Sequence, residues 1–115
     1  DAGLSSLQYA LKDLKTSLRL REQLFGCVSS ICANLMEMGA FENKAQQKQK
    51  IITCIAECNE AEFWLTFCKD VDLLTEDEHT GYLAQLKDIR IMLFILLNAI
   101  KHEMLILEDS KTASR

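Results

Sequence analysis

The chain has 115 residues, no proline and only four glycines, a composition that favours helix within a single domain covering residues 1–115. Its formal net charge of −4 argues against a general binder of polyanions. The longest apolar run, residues 91–100, is about half of the roughly 20 residues that a membrane-spanning helix needs. The odd number of cysteines, five, and the lack of a charged-then-apolar leader favour reduced thiols and a cytoplasmic location.

Apolar residues in the first third of the chain recur every three or four positions, the spacing of one helix face. They predict two helices, over about residues 4–17 and 19–38. The residues that carry the pattern are Leu4, Leu7, Leu11, Leu14, Leu18, Leu24, Phe25, Val28, Ile31, Cys32 and Leu35.

The sequence leaves two alternatives for the boundary between these two helices. Nothing between Lys15 and Arg21 breaks a helix strongly, so one helix over about residues 4–38 is an alternative. Four helices would bury their apolar faces more economically than three, and this favours a turn near Thr16–Ser17.

Two further helices have clear start signals. Asn43 is a good N-cap for a helix over about residues 43–71. Thr75 and Glu78 form the spacing of a capping box, which predicts a helix over about residues 75–108. The resulting fold class is all-α, an antiparallel up-and-down four-helix bundle.

The last predicted helix is apolar around its whole circumference over residues 91–97. A bundle helix buries only one stripe, so the surplus face should be covered by another copy of the chain. We expect Ile91, Phe94 and Ile95 to form that interface, and Trp64 to lie in the core or at the same kind of subunit contact.

A row of polar side chains lies beside the core face of the second predicted helix. Ser30, Asn34 and Glu37 share one helix face, and Glu57 and Glu60 on the next helix are their possible partners. The row can be a hydrogen-bond layer between helices, a subunit contact or a ligand site. Since buried polar groups must be paired, an architectural role is favoured.

These residues also carry a family resemblance. Residues 23–67 contain Gln-Leu, then Ser-Ile-x-Ala-Asn-x-x-Glu ending at Glu37, then a Glu-rich turn that ends in Phe-Trp-Leu at Leu65. This pattern resembles the bacterial four-helix-bundle proteins related to the 23S rRNA intervening-sequence protein. The resemblance implies a ring-shaped homo-oligomer, a pentamer, and a link to RNA. The chain departs from the pattern at Phe25–Gly26, where relatives often carry Arg, and at Gln47, where they carry Phe.

Basic residues that could contact RNA lie in the first half of the chain, which holds seven of the thirteen Lys and Arg side chains. A solvated surface is the default interpretation of such residues. If they contact RNA, they would bind the phosphate backbone of the RNA, and the affinity would fall with rising salt. The seven are Lys12, Lys15, Arg19, Arg21, Lys44, Lys48 and Lys50.

Metal sites are also conceivable. Thiolates that converge in a bundle can bind Cu(I) or zinc, but small buried side chains explain Cys27, Cys32, Cys54, Cys58 and Cys68 better. A single Glu-x-x-His pair at residues 76–79, in an exposed first turn, falls short of a di-iron site. We therefore expect no metal, no cofactor and no catalytic activity.

Overall fold

A computed structural model describes the backbone of residues 2–40 and 43–113; the side chains of residues 2–5, 9–14, 16 and 113 lie outside what it describes. It consists of three helices: α1, Ala2–Met38; α2, Lys44–Asp70; and α3, Glu76–Ala113. The predicted all-α fold class is confirmed, and the helices pack as a bundle.

The first helix is continuous, so the favoured turn near Thr16–Ser17 is absent. α1 covers both of the helices predicted over residues 4–17 and 19–38, which reduces the four expected helices to three within the described chain. The physical reason is local. With no Gly or Pro between Lys15 and Arg21, each added residue extends the helix with another backbone hydrogen bond, whereas a turn would break several.

Side-chain caps fix where the other two helices begin, as the sequence predicts. The Asn43 side-chain oxygen accepts hydrogen bonds from the backbone N–H of Ala45, at 2.8 Å, and of Gln46, at 3.2 Å. The backbone N–H of Thr75 donates to Glu78 Oε1 at 3.0 Å, and the Glu78 N–H donates to Thr75 Oγ1 at 3.1 Å. These bonds satisfy amides that the helix itself leaves without partners.

α1 and α2 run antiparallel. Lys50 near the start of α2 pairs with Glu37 near the end of α1, with 2.6 Å between Nζ and Oε2. One turn further along α2, the Cys54 thiol donates to the backbone carbonyl of Ile31, at 3.6 Å. The contacts therefore move back along α1 as they move forward along α2.

α2 and α3 are also antiparallel. Thr66 Oγ1 near the end of α2 lies 3.2 Å from His79 Nε2 near the start of α3. Lys44 at the start of α2 pairs with Glu103 far along α3, with 2.7 Å between Nζ and Oε2. Among the described residues, no Cα atom of α1 lies within 8 Å of one in α3. α2 is thus the central helix, with a neighbour on each side.

The core lies along α2 and between its two neighbours. Buried side chains on α2, with Leu93 on α3, form its centre, and α1 contributes Cys27 and Ile31. The α2 members are Ile51, Cys54, Cys58, Ala61 and Leu65.

The molecule is long and narrow, with principal extents of 83 × 24 × 16 Å. α1 and α3 have 37 and 38 residues and α2 only 27, so both outer helices extend past the ends of α2. Arg21 acts electrostatically on Cys68, close to the last residue of α2. The part of α1 that precedes about residue 18 therefore projects beyond the bundle. None of the described helices is both long and apolar enough to cross a membrane.

Candidate assembly surface and polar cluster

The apolar run on α3 has an inner and an outer face. Leu93 is only 1 % exposed and Leu97 is also buried, whereas Ile91 is 58 % and Ile95 63 % exposed, and Phe94 lies exposed beside them. The sequence predicts that one subunit cannot cover this outer face, and within the described chain it is uncovered. We call Ile91, Phe94 and Ile95 the outer face of α3.

Trp64 does not lie with the outer face of α3. On α2 it follows Glu57 and Glu60 at helical spacing, and both of those residues lie next to Cys27 on α1. Its Nε1 is buried and has no acceptor among the described residues. The residues expected to form one interface are therefore divided between two sides of the molecule.

Two aromatic residues beside Trp64 were not singled out from the sequence. Phe63 and Phe67 are exposed, and their ring centroids lie 5.0 and 6.0 Å from that of Trp64. Their spacing of four residues, which places both on one helix face, was the available signal.

The polar row divides into local and inter-helix bonds. Asn34 Nδ2 donates to the Ser30 carbonyl at 2.8 Å and to Ser30 Oγ at 3.2 Å, both within α1. Glu37 crosses to α2 through its ion pair with Lys50. The row thus joins the helices only at Glu37 in the described chain.

Glu57 and Glu60 lie next to Cys27 on α1. The Cys27 Sγ and one carboxylate oxygen of each glutamate all lie within 4.8 Å of one another. Burial, and then the two nearby carboxylates, raise the pKa of Cys27 to about 11. A neutral thiol that donates to carboxylates is a weak nucleophile, so the cluster fits a packing role better than a reactive one.

The remaining cysteines are mostly buried. Cys54, Cys58 and Cys68 lie in the interior, whereas Cys32 is exposed, contrary to the core position expected for it. Burial raises the pKa of each of the three interior thiols.

His79 is also buried, although the sequence placed it in an exposed first turn. It contacts Thr66 on α2, because the first turn of α3 packs against the last turns of α2. Glu76 at the other end of the motif is exposed.

The predicted RNA-contact residues are spread over the length of the molecule. Lys44 and Lys50 are held in ion pairs with Glu103 and Glu37, which offsets their charge. The Lys12 side chain lies outside the described residues. Lys48 is half-buried, and the exposed members of the set are Lys15, Arg19 and Arg21.

With this geometry in place, comparison with known proteins identifies the family. The family model of the 23S rRNA-intervening sequence protein matches residues 6–94. The chain belongs to this family. The matched range begins in α1, covers all of α2 and ends on the outer face of α3, so it includes the polar row and the Cys27 cluster.

A solved structure from Bacteroides thetaiotaomicron, a protein of unknown function from the S23 ribosomal protein family, has a similar fold. The TM-score is 0.67 at 20 % sequence identity, over 80 % of this chain and 94 % of that one. At this identity the similarity extends to the fold alone. No curated protein matches the chain.

Proposed function

We propose that this member of the 23S rRNA-intervening sequence protein family is a non-catalytic scaffold that assembles with copies of itself through the outer face of α3. The observation that carries the proposal is the exposure of Ile91, Phe94 and Ile95 on adjacent turns of one helix. Contiguous apolar surface of this kind is typical of protein interfaces. A copy of the same chain is the simplest partner, because it requires no second protein. The sequence resemblance implies a ring of five copies.

A non-catalytic role is supported by the way polar groups are used. Cys27 is held neutral beside Glu57 and Glu60, and His79 bonds to Thr66. These groups join helices to one another. The free buried thiols also favour a reducing compartment such as the cytoplasm.

Light scattering coupled to size-exclusion chromatography tests the interface. We expect the wild-type mass to be several times the 13.1 kDa of one chain. Ile95→Glu should lower that mass, because it places a charge in the apolar contact, while circular dichroism stays helical. Thr80→Glu adds the same charge at an exposed position near the start of α3 and should leave the mass unchanged. If Ile95→Glu keeps the wild-type mass, the outer face of α3 is not the interface.

RNA binding is the second candidate. The exposed cations Lys15 and Arg19 favour it, since neither has an ion-pair partner within 4.0 Å among the described residues. Contacts of this kind would be to phosphate and would weaken steeply with salt. A gel shift with a structured RNA should then be lost on Arg19→Glu and at high salt. If Arg19→Glu leaves the gel shift intact, these residues do not form the RNA contact.

A further inference from the structure

An apolar groove runs along one side of the molecule between α1 and α3, with α2 as its floor. Its volume is about 480 Å³. α1 and α3 do not approach each other among the described residues, so the groove is the space that a fourth helix of the bundle would fill. Its apolar walls and floor are formed by Phe25, Val28, Ala61, Leu65, Tyr82 and Ile89.

Exposed apolar side chains continue along α3 beyond the residues that line the groove. Met92 and Leu96 follow Ile89 at helical spacing, and all three are exposed. From Tyr82 to Leu96 the apolar side of α3 is about 21 Å long at 1.5 Å per residue. This length would accommodate a helix of about 14 residues.

α1 itself carries an amphipathic segment of that length, which projects beyond the end of α2. Within it, Leu7 is 57 % exposed and Leu18 is also exposed. The leucines of this segment repeat at intervals of three and four from residue 4 to residue 18, a span of about 21 Å. The same repeat continues into the groove wall at Phe25, which is 74 % exposed, and at Val28.

The segment is unable to reach the groove of its own chain. Residues 2–18 and the α1 wall of the groove belong to one uninterrupted helix, so the segment points away from the groove beside it. Folding back would require a turn that the sequence between Lys15 and Arg21 does not supply. A second copy can bring the same segment to the groove without any turn.

We propose that residues 2–18 of α1 lie in the groove of a second copy of the chain, and that the exchange is reciprocal. The two α1 helices would run antiparallel about a two-fold axis within one turn of Leu18. Each leucine segment would then face the Phe25–Val28 wall of the other copy and the Tyr82–Leu96 side of its α3. Every copy supplies one segment and one groove, which makes the contact self-complementary and closed.

The exchange completes two four-helix units. In each unit the incoming segment runs antiparallel to both α1 and α3, the alternation of an up-and-down bundle. This contact does not use the outer face of α3. It therefore does not depend on the proposed function. Both contacts in one protein would build an assembly larger than a dimer.

The test uses the full chain carrying Ile95→Glu, which removes the other proposed interface. Light scattering should give twice the chain mass. Adding Leu7→Glu should reduce it to one chain, because the charge would enter the groove. Ser6→Glu adds the same charge at a neighbouring exposed residue about 100° around the helix and should leave the dimer intact. A single-chain mass for Ile95→Glu alone, or a dimer that survives Leu7→Glu, would overturn the proposal.

A cross-link tests the placement of the axis. Leu18→Cys is combined with Cys32→Ser, which removes the exposed native thiol, and treated with a short bis-maleimide. A covalent dimer is expected at low protein concentration. With Ile95→Glu also present, inserting a flexible Gly-Ser loop after Ser17 should let each segment fold into its own groove, so that the protein becomes monomeric and loses the cross-link. Absence of the cross-link without the loop, or its persistence with the loop, would contradict the reciprocal exchange.

Discussion

Raising the pH from 8 to 10 should weaken the fold through Cys27. This side chain is 4 % exposed and lies beside two carboxylates, which together with burial raise its pKa from 9.0 to about 11. Between these values the unfolded chain loses the thiol proton while the folded chain keeps it. The unfolded state then binds fewer protons, so the free energy of unfolding falls as pH rises.

The size of the effect follows from the shift. A rise in pKa from 9.0 to about 11 corresponds to about 3 kcal/mol of stability, which is fully present below pH 9 and lost as pH rises through 11. Between pH 8 and pH 10 the two-state linkage relation gives a loss of about 1 kcal/mol from this thiol alone.

Urea unfolding under reducing conditions, at one protein concentration, measures the effect. The comparison is between wild type and Cys27→Ala, because the cavity left by the substitution costs the same at each pH. Their difference in free energy of unfolding should shrink by about 1 kcal/mol from pH 8 to pH 10. Cys32→Ala, at an exposed position on the same helix, is the matched control. A wild-type to Cys27→Ala difference that stays constant with pH would refute the placement of Cys27 between the glutamates.

Two further substitutions test the packing and the caps. Leu93→Ala should destabilise the fold by about 2–5 kcal/mol in urea unfolding, because it empties a fully buried position at the centre of α3; a cost below 1 kcal/mol would show that the site is not core. Thr75→Ala should cost about 1 kcal/mol in thermal unfolding by removing the acceptor for the Glu78 amide, with Thr80→Ala, at an exposed helical position, as the comparison; equal losses in both would contradict the capping role.

The features that the sequence predicts correctly are local ones. Thr75 and Glu78, three residues apart, hydrogen-bond to each other, and the Asn43 side chain accepts from amides two and three residues later. The geometry of both caps therefore does not depend on the rest of the fold. The division of the α3 run into a buried Leu93 side and an exposed Ile95 side follows from helical periodicity in the same way.

The features that the sequence misses depend on how one helix is aligned with the next. Periodicity places Glu37 and Glu60 on known faces, but only the offset between α1 and α2 decides that Glu37 meets Lys50 and that Glu60 meets Cys27. The burial of His79 has the same origin, since it depends on where the end of α2 lies. The prediction of a turn near Thr16–Ser17 was wrong for another reason. It assumed that one chain buries its apolar helix faces against its own helices.

The central position of α2 also has a kinetic consequence. The described helix pairs in contact are neighbours along the chain, α1 with α2 and α2 with α3, so the separation in sequence between contacting residues is small. Domains with such local topology fold within microseconds to milliseconds. Each outer helix can detach while the other stays paired with α2, so α2 should be the last part to open. Its amide hydrogens, around Cys54 and Cys58, should exchange with solvent most slowly.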